Sequence, residues 1–304
     1  MKKKILILGG GLSKERKISL NTAKQVKKIL KKKYKVFQCD FDKNFINNVK
    51  KFRPDIIFNA LHGRFGEDGY VQSILESLKI KYTHSGVLSS ALAMDKVTSK
   101  EIFKKNKILT PKYLKYNYYD TNKKNIKKKI EKKLKFPVVI KPINEGSSVD
   151  VFICTKKNII KNLLKLKKYK EILIEQYIGG REIQVAILGK KKLGAIELKP
   201  KRKFYDYNAK YDHRAKTEHL IPVKISQKNM KIVLSTAFKA HKLLRCRGVT
   251  RSDFKFFKNK FYLLELNTQP GMTKLSLVPE IAAHVGINFI DLIEWILKDA
   301  SIDR

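Results

Sequence analysis

The hydrophobic pattern opens on the segment 4–8 (KILIL), apolar at every position from Ile5 to Leu8, which stops at Gly9, Gly10 and Gly11. A short run that is apolar at consecutive positions suits a strand buried on both faces. A helical period follows from about Lys14 to Lys31, and the segments at 34–39 (YKVFQC) and 55–60 (DIIFNA) read as further strands, separated by a short helical pattern. Strands alternating with helices predict a parallel α/β sheet over residues 1–95, with ligands at the carboxyl ends of its strands. GGG and the loop HGRFGEDG both fall at such ends.

From about Asp95 the pattern changes. One helix is followed by a highly charged stretch at 121–135 that reads as an exposed helix. Strands at 137–142 and 149–154 then face each other across a Gly-Ser turn, and another helix and a strand at 172–177 complete a small α+β unit, residues 96–180. The third segment, 181–304, opens with strands at 182–188 and 193–199 and crosses a long polar loop at 200–222. It closes with a helix, two strands and a helix pair. A loop of that length in a compact domain is either functional or a misassigned element.

No run of 18 apolar residues occurs, and the apolar start is followed by charge rather than a small-residue cleavage site, which argues against a transmembrane or secreted protein. Cys39, Cys154 and Cys246 are odd in number, widely spaced and set among apolar residues, as expected of reduced thiols in a cytoplasm. The 68 Lys and Arg against 27 Asp and Glu give a formal charge of +41, and Lys outnumbers Arg 58 to 10. These lysines are scattered in short groups over the whole chain. A nucleic-acid reader concentrates its basic charge on one face and relies on Arg, so the excess reads as a compositional bias that fills solvated positions.

If Lys takes most positions that tolerate it, windows without Lys mark those that do not. Residues 52–78 and 171–189 hold none, and 261–297 hold only Lys274. A buried core accounts for the apolar residues there but not for Glu67, Asp68, Glu175, Glu182, Glu265 and Asn267. Glu265 and Asn267 are two apart on a predicted strand and share a face, and Asp253 in the preceding strand can meet them by antiparallel pairing. Three such oxygen donors suit Mg²⁺ with phosphate oxygens completing its shell. Arg251 shares the face of Asp253, where a guanidinium can stabilise phosphoryl or oxyanion charge. The alternative is a surface strand with incidental charges.

In PVVIKPINEGSSVD (137–150), Lys141 ends an apolar strand before a Gly-Ser turn, an arrangement able to place an ammonium and backbone N–H groups on phosphate oxygens; the alternative is a hairpin with an exposed Lys. Glu175, with Glu182 beyond it, lies at a strand edge able to hold an adenine ring, or is simply a charged strand end. Glu15 opens the helix after GGG, where the helix dipole favours a carboxylate whatever its role. His62 sits at a strand end beside Gly63, as a core histidine or a functional one.

These segments occur in a fixed order: GGGLSKERKISL, ALHGRFGEDG, SGVLSSALAMDK, VVIKPINEGSSV, IEQYIGGREI, FYDYNAKY, TRSDF and LLELNTQPGMTKLSLVP. Their order, spacing and coverage of the whole chain resemble the D-alanine–D-alanine ligase family of ATP-grasp enzymes. The resemblance implies an α/β chain with an N-terminal Rossmann-like domain (1–95), a small central α+β domain (96–180) and a C-terminal α+β domain (181–304) carrying a lid loop at 200–222. It implies ligation of two D-alanines at the expense of ATP, for peptidoglycan precursors. Asp253, Glu265 and Asn267 would hold two Mg²⁺ or Mn²⁺ ions; Lys96, Lys141 and Lys210 would line the nucleotide and its phosphates, and Glu175 and Glu182 the adenosine. Arg251 with the backbone N–H of Gly271 would form an oxyanion site. Glu15 near His62 would hold the first ammonium, Ser276 and Leu277 the second substrate's carboxylate, and Ser147 and Tyr211 would close the loop with Glu15. Gln176 and Asp150 depart from the family, where Lys and Gly respectively are common. A homodimer in the cytoplasm, binding neither membrane nor specific nucleic acid, completes the expectation. The rivals are another ATP-grasp carboxylate–amine ligase and a Lys-rich nucleic-acid-binding protein.

Overall fold

The computed structural model describes residues 2–119, 125–200 and 217–302. The first sheet is built from β1 (Lys4–Gly9), β2 (Lys35–Asp40), β3 (Ile56–Asn59) and β4 (Lys81–Tyr82), with α1 (Arg16–Leu30), α2 (Phe45–Phe52) and α3 (Tyr70–Ser77) as crossovers. All its strands are parallel, in the order β2-β1-β3-β4. Ile5, Leu6, Ile7 and Leu8 have no exposed surface, as the unbroken apolar run predicts, and each such aliphatic side chain contributes about 1.5–3 kcal/mol by burial. The chain leaves β1 toward β2 on one side and returns to β3 on the other. That switch of direction opens a crevice beyond the carboxyl ends of β1 and β3, where the two glycine-containing loops lie.

Next come α4 (Val87–Met94) and α5 (Lys96–Lys105), then β5 (Tyr113–Asn117), α6 (Ile126–Lys133), β6 (Val138–Pro142), β7 (Phe152–Cys154), α7 (Ile159–Lys165) and β8 (Glu171–Gln176). Asp95 caps α5, its carboxylate accepting from the backbone N–H groups of Val97 and Thr98 at 2.9 and 2.8 Å, a cap of about 1 kcal/mol that fixes where Lys96 starts the helix. The second sheet, β5-β8-β6-β7, is antiparallel and has its own core around Ile140, Ile172 and Ile174.

The third sheet, β11-β10-β9-β12-β13, is also antiparallel. Its strands are β9 (Arg181–Leu188), β10 (Lys191–Lys199), β11 (Glu218–Leu220), β12 (Val249–Phe257) and β13 (Lys260–Asn267), flanked by α8 (Gln227–Leu243), α9 (Leu277–His284) and α10 (Phe289–Lys298). One face packs on Phe103 of α5 and Val233 of α8, and the other shares a core with Ile5 and Phe58 of the first sheet and Ile296 of α10.

Three expectations change. The segment read as a loop over 200–222 ends in strand β11, which pairs with β10 through Glu197 and Leu220. The strand expected at 149–154 shrinks to Phe152–Cys154, because Ser147, Ser148 and Asp150 all take positive φ and prolong the turn. The sheet also contains β5, whose sequence YLKYN does not alternate cleanly and gave no signal. Within the described residues, the charged helix starts at Ile126.

Candidate active site

Glu15 immediately precedes α1, yet its side chain makes no capping bond to that helix. It turns into the crevice, is buried, and accepts a hydrogen bond from the Ser147 hydroxyl. Gly63 makes room for it, since at φ +70° a Cβ would collide with the Glu15 carboxylate. The loops after β1 and β3 are stitched by Ser13, whose hydroxyl donates to the His62 carbonyl at 2.6 Å and accepts from the Glu15 N–H at 3.1 Å. The His62 ring is held with Nε2 at 3.1 Å from Thr22 Oγ1 and Nδ1 at 3.3 Å from Glu67.

The opposite wall comes from β12 and β13. Their register sets Arg251 opposite Asn267 and Asp253 opposite Glu265, which brings all four side chains to one face. The Arg251 guanidinium donates to Asp253 at 2.7 and 3.0 Å, and the Lys96 ammonium lies 3.5 Å from Glu265. Lys96 also donates to the Glu145 carbonyl at 2.6 Å, and Asn267 Oδ1 accepts from the Gln269 N–H at 2.7 Å. Two mostly shielded carboxylates, each beside a protein cation, plus an amide oxygen form a hard-oxygen set that fits a divalent cation sharing its shell with phosphate. No group of three or more His, Cys, Asp or Glu forms a metal site among the described residues.

Behind this wall Glu175 is buried between two lysines, 2.6 Å from Lys141 and 3.0 Å from Lys100. Burial opposes every charge in this cluster. For Lys100 it wins and brings the ammonium down to about 8. For Lys141 the Glu175, Glu265 and Asp253 carboxylates outweigh burial and its pKa rises. Burial of Glu175 is outweighed by both ammonium groups, and its carboxyl falls below the ordinary value. Glu182 accepts from Lys255 at 2.9 Å.

A cavity of about 710 Å³ joins these walls; Glu15, His62, Ser147, Arg251, Glu265 and Asn267 line it, as do Gly271, Ser276 and Leu277. Ser276 precedes α9 and is tied to Thr273 Oγ1 at 2.9 Å. A second, narrower space of about 90 Å³ lies between the second and third sheets, lined by Lys141, Glu175, Glu182 and Asp253. Lys96 and Glu265 border both. The narrower space is smaller than the several hundred Å³ common for ligand pockets. Lys210 and Tyr211 lie outside the described residues.

Sequence reasoning missed Lys100, Thr22 and Gln269. Gln269 donates to the Leu61 carbonyl and accepts from Asn59 at 2.8 Å, joining the end of β13 to the first sheet. Thr22 carried a faint signal, being a polar residue on the apolar face of α1. Lys100 carried none in a chain where Lys is everywhere.

Residues 102–298 match the family model described as D-ala D-ala ligase C-terminus. The chain is 68% identical to a D-alanine–D-alanine ligase of Pelagibacter ubique (strain HTCC1062), with full coverage of both. It is 45% identical to the one of Wolbachia pipientis wMel, over 97% of this chain and 94% of that one. Its fold superposes on the Bacillus anthracis D-alanine–D-alanine ligase complexed with ATP with a TM-score of 0.84, at 29% identity, over 98% of this chain and 97% of that one. The three sheets, with a cleft between the second and third, are thus those of an ATP-grasp ligase. Within that class, the chain belongs to the D-alanine–D-alanine ligase family.

Proposed function

We infer that this chain condenses two D-alanine molecules to D-alanyl-D-alanine with cleavage of ATP to ADP and phosphate, supplying a peptidoglycan precursor. A carboxylate oxygen is a poor leaving group. Transfer of the γ-phosphoryl group to the first D-alanine gives an acyl phosphate. The amine of the second D-alanine then forms the C–N bond and loses a proton, the C–O bond breaks, and phosphate departs.

The observation that carries this reading is the meeting of Glu15 and Ser147 with Arg251, Glu265 and Asn267 around one cavity beside the slot holding Lys141. In this proposal the active site lies where segments 1–95, 96–180 and 181–304 meet. Glu15, near His62, receives the first ammonium, and Arg251 with the Gly271 N–H receives the oxyanion. Ser276 and Leu277 take the second carboxylate. Lys96, Lys141 and Lys210 line the phosphates, and Glu182 and Glu175 the adenosine side, with Glu175 acting also through the lysines it holds. Ser147 and Tyr211 close the site against water, which would hydrolyse the acyl phosphate. Asp253, Glu265 and Asn267 would hold Mg²⁺ or Mn²⁺, which supplies charge neutralisation on the phosphates. Chelation is expected to stop turnover, and added Mg²⁺ to restore it.

We place the protein in the cytoplasm, where ATP is available, as a homodimer; sedimentation velocity tests the oligomeric state. No helix among the described residues is long and apolar enough to cross a membrane. Phosphate release from ATP and Mg²⁺, measured against a panel of D-amino acids and D-lactate, tests the activity. Release with D-alanine alone is expected; release only with another acceptor would transfer the reading to another ATP-grasp ligase. No release with any acceptor, together with salt-sensitive nucleic-acid binding that survives loss of Asp253, would favour the basic binding protein.

A further inference from the structure

The turn between β6 and β7 crosses the border of the two cavities and is held from outside itself. Inside it, the Val149 N–H donates to the Gly146 carbonyl at 3.0 Å. Ser147, Ser148 and Asp150 adopt φ of +49°, +58° and +55°, each a left-handed conformation that strains a non-glycine residue. A turn so strained keeps its shape only when its surroundings over-determine it.

Among the described residues, three attachments contribute to this. The Lys96 ammonium holds the Glu145 carbonyl, the Glu15 carboxylate holds Ser147, and the Asp150 carboxylate holds the far end. Asp150 Oδ2 accepts from the Tyr169 hydroxyl at 2.6 Å and lies 2.7 Å from the Lys168 ammonium and 3.7 Å from that of Lys14. Partial burial opposes its charge, but Lys168, Tyr169 and Lys14 outweigh it and keep the carboxyl below its ordinary value. The first two attachments use groups that the functional reading gives to the phosphates and the first ammonium, so ligands compete for them. The third uses residues with no such duty. Lys14 and Glu15 are also adjacent, so the pairs Lys14–Asp150 and Glu15–Ser147 tie the same two segments together twice.

We propose that Asp150 is a positioning residue whose ligand-independent anchor pins the 145–150 turn over the site, setting where Ser147 meets Glu15 and sealing the acyl phosphate from water. This rests on the functional reading above.

The test is Asp150→Gly, which removes the anchor while relieving the backbone at φ +55°. Expected are a rise of about tenfold in KM for ATP with a smaller change in kcat, and more than one phosphate released per dipeptide formed. Asp150→Asn, which retains an acceptor for Tyr169 but not the charge, should fall between. If Asp150→Gly keeps both the KM for ATP and the one-to-one stoichiometry, whether or not its melting temperature moves, the proposal is overturned. Calorimetric titration of both proteins with ATP and Mg²⁺ separates the two failures: wild type that binds ATP but makes no dipeptide refutes the functional reading, while unchanged affinity in Asp150→Gly refutes the anchor.

Discussion

The Ser147 hydroxyl donates to the Glu15 carboxylate across 132 residues of sequence, joining the turn after β6 to the start of α1. The contact holds a buried acid at the edge of the cavity and ties the turn of the second segment to the first. Ser147→Ala should raise KM for the first D-alanine about tenfold. Glu15→Gln, which removes the charge proposed to meet the ammonium, should lower kcat/KM by about 10² or more. Steady-state kinetics with D-alanine varied checks both.

Glu265 stands opposite Asp253 and beside Lys96, with 27% of its side chain exposed. Glu265→Gln keeps its shape and removes a proposed cation ligand. Turnover should fall by about 10³ or more with the thermal midpoint shifted by only a few degrees. Unimpaired phosphate release in this variant would show the metal assignment to be wrong.

In the Lys100–Glu175–Lys141 cluster the two single changes are unequal. Glu175→Gln leaves two buried ammonium groups without their carboxylate and should cost about 3–5 kcal/mol. Lys100→Met leaves a one-to-one pair and should cost less than half as much. Urea unfolding of the two variants compares them directly, and equal losses would contradict the charge count.

His84 is fully buried, its Nδ1 has no partner among the described residues, and burial, reinforced by nearby His62 and Arg247, lowers its pKa to about 3. The unfolded chain takes up this proton near pH 6.5 and the folded chain does not. The stability associated with neutral His84 is therefore complete above pH 6.5 and lost as pH falls toward 3, at about 1.4 kcal/mol per pH unit. His241, lowered by burial to about 4, adds a second such dependence. His84→Gln should reduce the slope of stability against pH between 6 and 4 by about that amount, whatever its effect at pH 7; an unaltered slope would refute the assignment.

The Lys-free windows led to Glu265, Glu182 and Asn267 because a chain that puts Lys at tolerant positions leaves its constrained positions visible. The same reasoning is blind to constrained lysines. Lys100 has no exposed surface, and Lys96 and Lys141 are nearly as buried, yet nothing in composition distinguishes them from the many lysines in solvent. Lys96 entered through motif resemblance alone, and Lys141 only through its place at the end of an apolar strand before a Gly-Ser turn. Likewise β5 gives no signal, because its YLKYN side chains are half-buried or, at Lys115, exposed and lack a clean alternation.

Sequence by itself determined the periodic elements and the same-face pairs, since strand and helix repeats fix which neighbours point together over two to four residues. Arg251 with Asp253 and Glu265 with Asn267 are of this kind. Only the tertiary structure decided that Glu15 meets Ser147, that Lys100 shares Glu175 with Lys141, and that Asp150 reaches Lys14 and Tyr169. Those contacts join distant segments, and their geometry is set by how three sheets pack, for which the local pattern of apolar and polar residues holds no coordinate.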